Sequence, residues 1–255
     1  MDLGLKGKVA IVTGAAHQQG IGRAIAISLA KEGCDIACLD IDDEGANEVA
    51  SQIQQMGNKS IGVSVNQSDY YQVKQAVDLV SSKMGHVDIL INNAALLGNT
   101  ALSHKMNIAE WNREISINLC GPFYFIKEAI PHMLSQHWGR ILNISSIAGI
   151  GGSAGQAGYS STKAALIGLT KTTAIEYAHN SITVNTLCLG VIDSSGLYLT
   201  VKPNVIDRLR NVTPLQRFGT VEEVSSIATF IVSDKCSFLT GSVIIMDGGQ
   251  TLFTY

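Results

Sequence analysis

The sequence predicts an α/β fold: a doubly wound parallel sheet with helices on both faces. Three observations support this. Short β-branched runs alternate with longer amphipathic runs along nearly the whole chain, and strict alternation of that kind favours parallel strands joined by right-handed crossovers. Hydrophobic residues make up 46% of the 255 residues and charged residues only 15%, which suits strands covered on both sides. Four predicted helices run into glycine, at Gly33, Gly57, Gly85 and Gly139, where a left-handed turn meets no Cβ clash. No repeat, low-complexity segment or linker divides the chain, so residues 1–255 are expected to form a single domain.

The elements follow in order. "KVAIVTG" reads as the first strand and "GIGRAIAISLAKEG" as the helix behind it. "CDIACLD" and "DDEGANEVASQIQQMG" form the next strand and helix, and "KSIGVSV" and "YYQVKQAVDLVSSKMG" the third pair. "VDILINNAA" is the fourth strand, followed by helices near 109–119 and 122–136. "GRILNISS" is the fifth strand, and the helix after it carries Tyr159 and Lys163 and runs to about Tyr177. "SITVNTLCLG" and "GSVIIMDGG" are the remaining strands, with a helix over about 221–233 between them. The irregular stretch 190–214, with a short helix near "NVIDRLRNV", has the length and composition of a substrate lid.

Composition excludes several function classes. A net charge of −3 and no dense basic run argue against a nucleic-acid partner. The apolar run near the start is short and soon meets glycine, so neither a signal peptide nor a membrane span is expected. The five cysteines are odd in number and lack CxxC spacing, which fits buried thiols in a reducing cytoplasm. The histidines are scattered, so no metal site is expected.

"VAIVTGAAHQQGIGRAIA" places Gly14, Gly20 and Gly22 between the first strand and the first helix. Glycines there let backbone N–H groups approach a pyrophosphate, and the helix N-terminus adds partial positive charge. Asp40 ends the second strand, 18 residues past Gly22. A carboxylate at that place accepts hydrogen bonds from the ribose hydroxyls of NAD and repels the 2′-phosphate of NADP. The alternative role, capping the next helix, is open equally to Asp42 or Asp43.

Tyr159 and Lys163 stand four residues apart on one helix face. "NISS" brings Ser145 and Ser146 to the carboxyl edge of the sheet, on the same side as the glycine loop. A phenol has a pKa of about 10, and a nearby ammonium lowers it towards the range useful for acid–base work. With a serine to hold the substrate oxygen and a nicotinamide nearby, hydride transfer couples to proton transfer.

With "TGAAHQQGIG", "NNAA", "SINL", "NISS", "YSSTK", "ITVNTLCLG" and "FLTGSVIIMDGG" in this order, the chain resembles the short-chain dehydrogenase/reductase family from Lys6 to Gly249. The resemblance implies a Rossmann-type domain with a seven-stranded parallel sheet. It makes Tyr159 the acid/base, Lys163 the residue that depresses its pKa and binds the nicotinamide ribose, and Ser146 the holder of the substrate oxygen. Asn118 would anchor a water of the proton relay. Gln19, Ile21, Ile41, Asn66, Gln67, Asn93, Ala94 and Ala95 would lie along the cofactor, with Gly190, Ile192 and Ser194 near the carboxamide. Leu97 and Gln156 would join Ser146 and Tyr159 against the substrate. A homotetramer is implied, with its larger interface on helices near 105–135 and 156–178.

Several positions depart from the family pattern. Five residues separate Gly14 from Gly20, a longer loop than usual. Asn66 replaces an aspartate, Ala95 a glycine, Leu189 a proline and Ser194 a threonine. The first-ranked function is NAD-dependent interconversion of a secondary alcohol and a ketone, with oxidation favoured. The expected substrate is a polyol, sugar, cyclic alcohol or small hydroxy compound. The pocket is expected to be lined by Leu96, Leu97, Ile147, Ile150, Ser153 and Gln156, with Lys202, Arg208 and Arg210 on the lid. The runner-up is an NADPH-dependent 3-oxoacyl-thioester reductase, which Asp40 disfavours. A non-catalytic dinucleotide sensor and an epimerase or dehydratase rank lower.

Overall fold

The computed structural model describes residues 1–98, 100–200 and 203–252, with the side chains of 199, 200, 203 and 204 left aside. Seven strands form one sheet: β1 (Val9–Thr13), β2 (Asp35–Asp40), β3 (Ser60–Ser64), β4 (Ile89–Asn92), β5 (Gly139–Ser146), β6 (Ile182–Leu189) and β7 (Val243–Met246). Their spatial order is β3-β2-β1-β4-β5-β6-β7, and every pairing is parallel. The sheet is the expected Rossmann-type one. Its order reverses between β1 and β4, so the crevice at their carboxyl ends is where ligands of such sheets bind.

Helices α1 (Ile21–Lys31), α2 (Asp43–Gln55), α3 (Tyr70–Met84), α4 (Ile108–Ile115), α5 (Gly121–Gln136) and α6 (Ala157–Tyr177) supply the crossovers. Alternation along β1 feeds two cores. Ala10 and Val12 join Ile25 and Leu29 of α1, while Val9 and Ile11 join Val77 of α3 and Phe125 of α5. That two-sided burial explains the continuous apolar strands. Gly33, Gly57 and Gly85 take positive φ past α1, α2 and α3 as expected. Gly139 does not. His137 takes the left-handed turn after α5 at φ 50°, and Gly139 begins β5 against Met133.

Two regions differ from the sequence expectation. The helices near 109–119 and 122–136 are one continuous rod, joined by a turn of π-helix over Ser116–Cys120 that holds Asn118. Pro122 follows the π turn, where its missing N–H interrupts the hydrogen-bond ladder between the turn and α5. The lid is more ordered than a loop. It holds α7 (Ser195–Thr200) and α8 (Pro203–Asn211), and Ile192–Asp193 pairs in parallel with Gly219–Thr220. The last helix, α9 (Val221–Ile231), starts with a capping box between Thr220 and Glu223. Among the described residues no helix is long and apolar enough to cross a membrane. The tail residues 253–255 and Lys202 of the lid lie outside the described residues.

Candidate active site

A cleft of about 670 Å³ opens at the carboxyl edge of the sheet. Gly14, Gly20 and Ile21 form one wall, Ser146, Tyr159 and Lys163 another, and the lid closes it with Leu197, Leu209 and Val212. One strand end and one helix hold the three catalytic candidates. Ser146 is the last residue of β5, and its Oγ accepts from Ala148 N–H at 3.1 Å. Tyr159 lies in the first turn of α6 and hydrogen-bonds Ser146 through its hydroxyl. Lys163 is buried one turn on, with Nζ donating to the Ile144 carbonyl at 2.8 Å and 5.5 Å from the Tyr159 ring centroid. Ser145, which the sequence had only placed at this edge, donates its Oγ to the Lys163 carbonyl at 2.8 Å and so pins α6 to β5.

The electrostatics differ from the sequence expectation. Burial pushes the Tyr159 phenol above its ordinary value, the Ser146 hydrogen bond opposes this, and the Glu114 carboxylate adds to it. Burial also lowers the Lys163 ammonium to about 8, with the Cys188 thiol pulling slightly the other way. Between that value and the ordinary lysine pKa, the unfolded chain binds more protons than the folded one. Stability from this group therefore rises with pH from about 8 to about 10. Lys163→Met is expected to remove that slope and to stabilise the cofactor-free protein at pH 7 by up to about 3 kcal/mol, checked by thermal melts across pH.

The nucleotide end is equally specific. Asp40 Oδ2 accepts from Ala16 N–H at 3.0 Å and Oδ1 from Asp42 N–H at 3.2 Å, so the carboxylate also shapes the glycine loop. Asp42 performs the helix capping, accepting from Gly45 N–H. Arg23, just past Gly22, is turned away onto Glu48 and Gln52 of α2, both at 2.9 Å. Helix α1 has no side-chain cap and no acidic residue in its first turn, which leaves its N–H groups suited to an anion. The extra residues of the loop reach the lid, where Ser195 N–H donates to the Gln19 carbonyl at 3.2 Å.

Asn93, Ala94, Ala95, Gly190, Ile192 and Ser194 line the cleft, as do Leu97, Gln156, Ile147 and Ser153. Asn93 Nδ2 clamps the glycine loop through the carbonyls of Thr13 and Gly14, at 2.9 and 3.1 Å. Other expected residues stand back from the cleft. Gly22 packs against the Gly14 carbonyl, where no Cβ would fit. Gln67 turns its buried amide onto the Ala94 and Ile117 carbonyls at 3.1 and 2.8 Å, tying the end of β4 to the π turn. Asn66 turns its Oδ1 onto Ser68, and Ile41 is exposed. Leu96 and Ile150 are likewise absent from the lining: Leu96 is gripped by Asn118 through both its N–H and its carbonyl at 2.7 Å, and Ile150 is exposed. Arg210 of the lid pairs with Asp207 at 2.9 Å.

Glu114 escaped the sequence reading. It is buried behind Tyr159 on α4, on the stripe that also carries Trp111 and Asn118. An acid falling on the inward stripe of a helix was the available signal.

A doubly wound sheet with a glycine loop, a terminal acid on β2 and a Ser–Tyr–Lys cluster in one cleft defines a nicotinamide-dinucleotide-linked oxidoreductase. Comparison with known proteins gives the same class. Residues 14–251 match the family model described as enoyl-(acyl carrier protein) reductase. The chain is 36% identical over 251 residues to the 3-oxoacyl-(acyl-carrier-protein) reductase of Aquifex aeolicus, covering 98% of this chain and 100% of the relative. It is 37% identical to the enzyme of the same name from Thermotoga maritima, over 97% of this chain and 99% of the relative. It is 33% identical to glucose 1-dehydrogenase 2 of Bacillus subtilis, over 98% and 96%. The chain belongs to the short-chain dehydrogenase/reductase family.

These relatives correct the ranking of functions. The first-ranked dehydrogenase of polyols, sugars, cyclic alcohols or small hydroxy compounds gives way to the runner-up. Relatives from Aquifex, Thermotoga and Staphylococcus all carry the name 3-oxoacyl-(acyl-carrier-protein) reductase, at 36–38% identity. Residue pattern pointed to a Ser–Tyr–Lys cluster that either activity would use, and left the acyl side undetermined.

Proposed function

We propose that the protein is a 3-oxoacyl-thioester reductase that takes NADH, with the whole chain acting as one catalytic domain. The observation that carries this is the convergence of Ser146, Tyr159 and Lys163 on a cleft whose far wall is the glycine loop. The apolar side chains of Leu97, Ile147, Leu197, Leu209 and Val212 give that cleft a wall suited to an acyl chain. Among the described lining residues Lys163 is the only lysine or arginine, so no clamp for a charged sugar phosphate competes with this reading.

Gly20 and Ile21 at the start of α1 would hold the pyrophosphate, Asp40 the adenosine ribose, and Gly190 and Ile192 the carboxamide end. A nicotinamide bound there would supply the hydride for reduction of the 3-oxo group. Ser146 Oγ and the Tyr159 hydroxyl hold the 3-oxo oxygen, and Tyr159 gives it a proton as the alcohol forms. Burial keeps the phenol in the protonated form that this direction needs. Lys163, its Nζ held by the Ile144 carbonyl at 2.8 Å, would orient the nicotinamide ribose through its remaining N–H donors. Asn118 fixes the π turn against Leu96, its side-chain amide engaged there through both its oxygen and its nitrogen.

Self-association as a homotetramer belongs to the same proposal and is supported by Ile108 and Phe123, exposed on α4 and α5. A cytoplasmic location is supported by five free cysteines, three of them buried. The test is steady-state reduction of an acetoacetyl thioester with NADH and with NADPH, beside NAD-coupled oxidation of polyols and sugars. Thioester reduction with NADH is expected to exceed every other activity. No thioester turnover with either dinucleotide would overturn the proposal.

A further inference from the structure

Helix α4 crosses the first turn of α6 with unusually little side-chain bulk between them. Gly158 precedes Tyr159, and a Cβ there would run into Glu114 Oε2. Gly98, in the segment after β4, also approaches it, with a Cβ position 2.7 Å from Glu114 Oε1. The carboxylate between these glycines is 3% exposed. Oε1 accepts from Gly98 N–H at 2.7 Å, and Oε2 is buried with no hydrogen-bond partner. Burying a charged oxygen unpaired is costly, so an acid retained there for packing alone would be better replaced by an apolar residue. The position offers one compensation. The N-terminus of α6 has no side-chain cap and no acid of its own in the first turn, and Glu114 brings negative charge to it from outside.

We infer that Glu114 is a positioning residue: its buried side chain, wedged between Gly98 and Gly158 with Oε2 unpaired, sets the environment behind Tyr159 so that the proton donor stays loaded for reduction. The inference rests on the proposed role of Tyr159 as the acid. The groups facing Tyr159 are few. Ser146 from β5 hydrogen-bonds the phenol, Lys163 from its own helix lies 5.5 Å from the ring, and α4 presents Glu114. Cys188 of β6 acts on Lys163. Glu110 of α4 approaches the same Gly98 turn, and Arg113 is exposed on the outer face. Of these, Ser146 and Glu114 act on the phenol in opposite directions, and only Glu114 disfavours the phenolate. Its hold on Gly98 also fixes the segment that carries Leu97 into the cleft.

Glu114→Gln removes the charge and keeps an acceptor for Gly98. The ionisation of Tyr159 is read directly by tyrosinate absorbance after a rapid pH jump, each protein against its own Tyr159→Phe counterpart. The midpoint is expected to fall by about one pH unit in Glu114→Gln. Glu114→Asp, which keeps the charge, should stay nearer the wild type. The alkaline limb of NADH-dependent thioester reduction is expected to move the same way, with KM little changed. Glu114→Met carries the same expectation if Glu114→Gln fails to fold. Coincident midpoints for the neutral variant and the wild type would overturn the inference. The absorbance readout needs no substrate, so failure of the thioester assay alone would count against the proposed reaction and leave this result standing.

Discussion

Replacing Tyr159 by phenylalanine is expected to lower kcat for thioester reduction by about 10³-fold or more while NADH binding stays within a few-fold of wild type. The ring remains, so the packing of the first turn of α6 and its approach to Glu114 are preserved. What is lost is the one hydroxyl that hydrogen-bonds Ser146 and faces the cleft. Ser146 cannot take over, because its Oγ is oriented by Ala148 N–H and has no proton reservoir behind it. Lys163 cannot reach forward while Nζ donates to the Ile144 carbonyl. Stopped-flow reduction and NADH fluorescence, measured on the same preparation, separate chemistry from binding. Turnover within tenfold of wild type would remove Tyr159 from the proton-transfer step.

The second large effect concerns the dinucleotide. Wild-type kcat/KM is expected to favour NADH over NADPH by about 10²-fold or more, because a 2′-phosphate would be forced against the Asp40 carboxylate. Arg23, the cation beside the glycine loop, is committed to Glu48 and Gln52 and leaves that repulsion uncompensated. Asp40→Asn is expected to narrow the preference by at least tenfold, since the amide keeps an acceptor but drops the charge. Part of the change should appear as weaker NADH binding, because both carboxylate oxygens also hold the loop through Ala16 and Asp42. Steady-state ratios for both dinucleotides, wild type against variant, decide the matter. A wild-type preference for NADPH would dismiss Asp40 as the selector.

Much of this was legible in the sequence because it is written in local patterns. The seven strands announced themselves through apolar runs, and β1, β5 and β6 came out close to their expected limits. Tyr159, Lys163 and Ser146 were found because their spacing is set by one helix and one strand end. What escaped depended on contacts between distant segments. Gln67 looks like a surface amide beside a nucleotide site until β3, β4 and the turn around Ile117 are brought together. Glu114 looks like one more charge on an amphipathic helix until Gly158 is laid across it. The lid was expected to be largely irregular because its two helices are short and its strand is two residues long. The choice between alcohol oxidation and thioester reduction had no local signature at all, since both use the same proton donor.

The π turn at Ser116–Cys120 has a geometric consequence. Each residue added to or taken from a helix rotates everything beyond it by about 100°. The π turn takes up one residue more than an α turn would, and so keeps Phe125 and Met133 in the core while presenting Asn118 to Leu96. The turn therefore couples the scaffold to the catalytic edge: its extra residue lets one rod both pack the core through α5 and hand Asn118 to the strand end that carries Leu96.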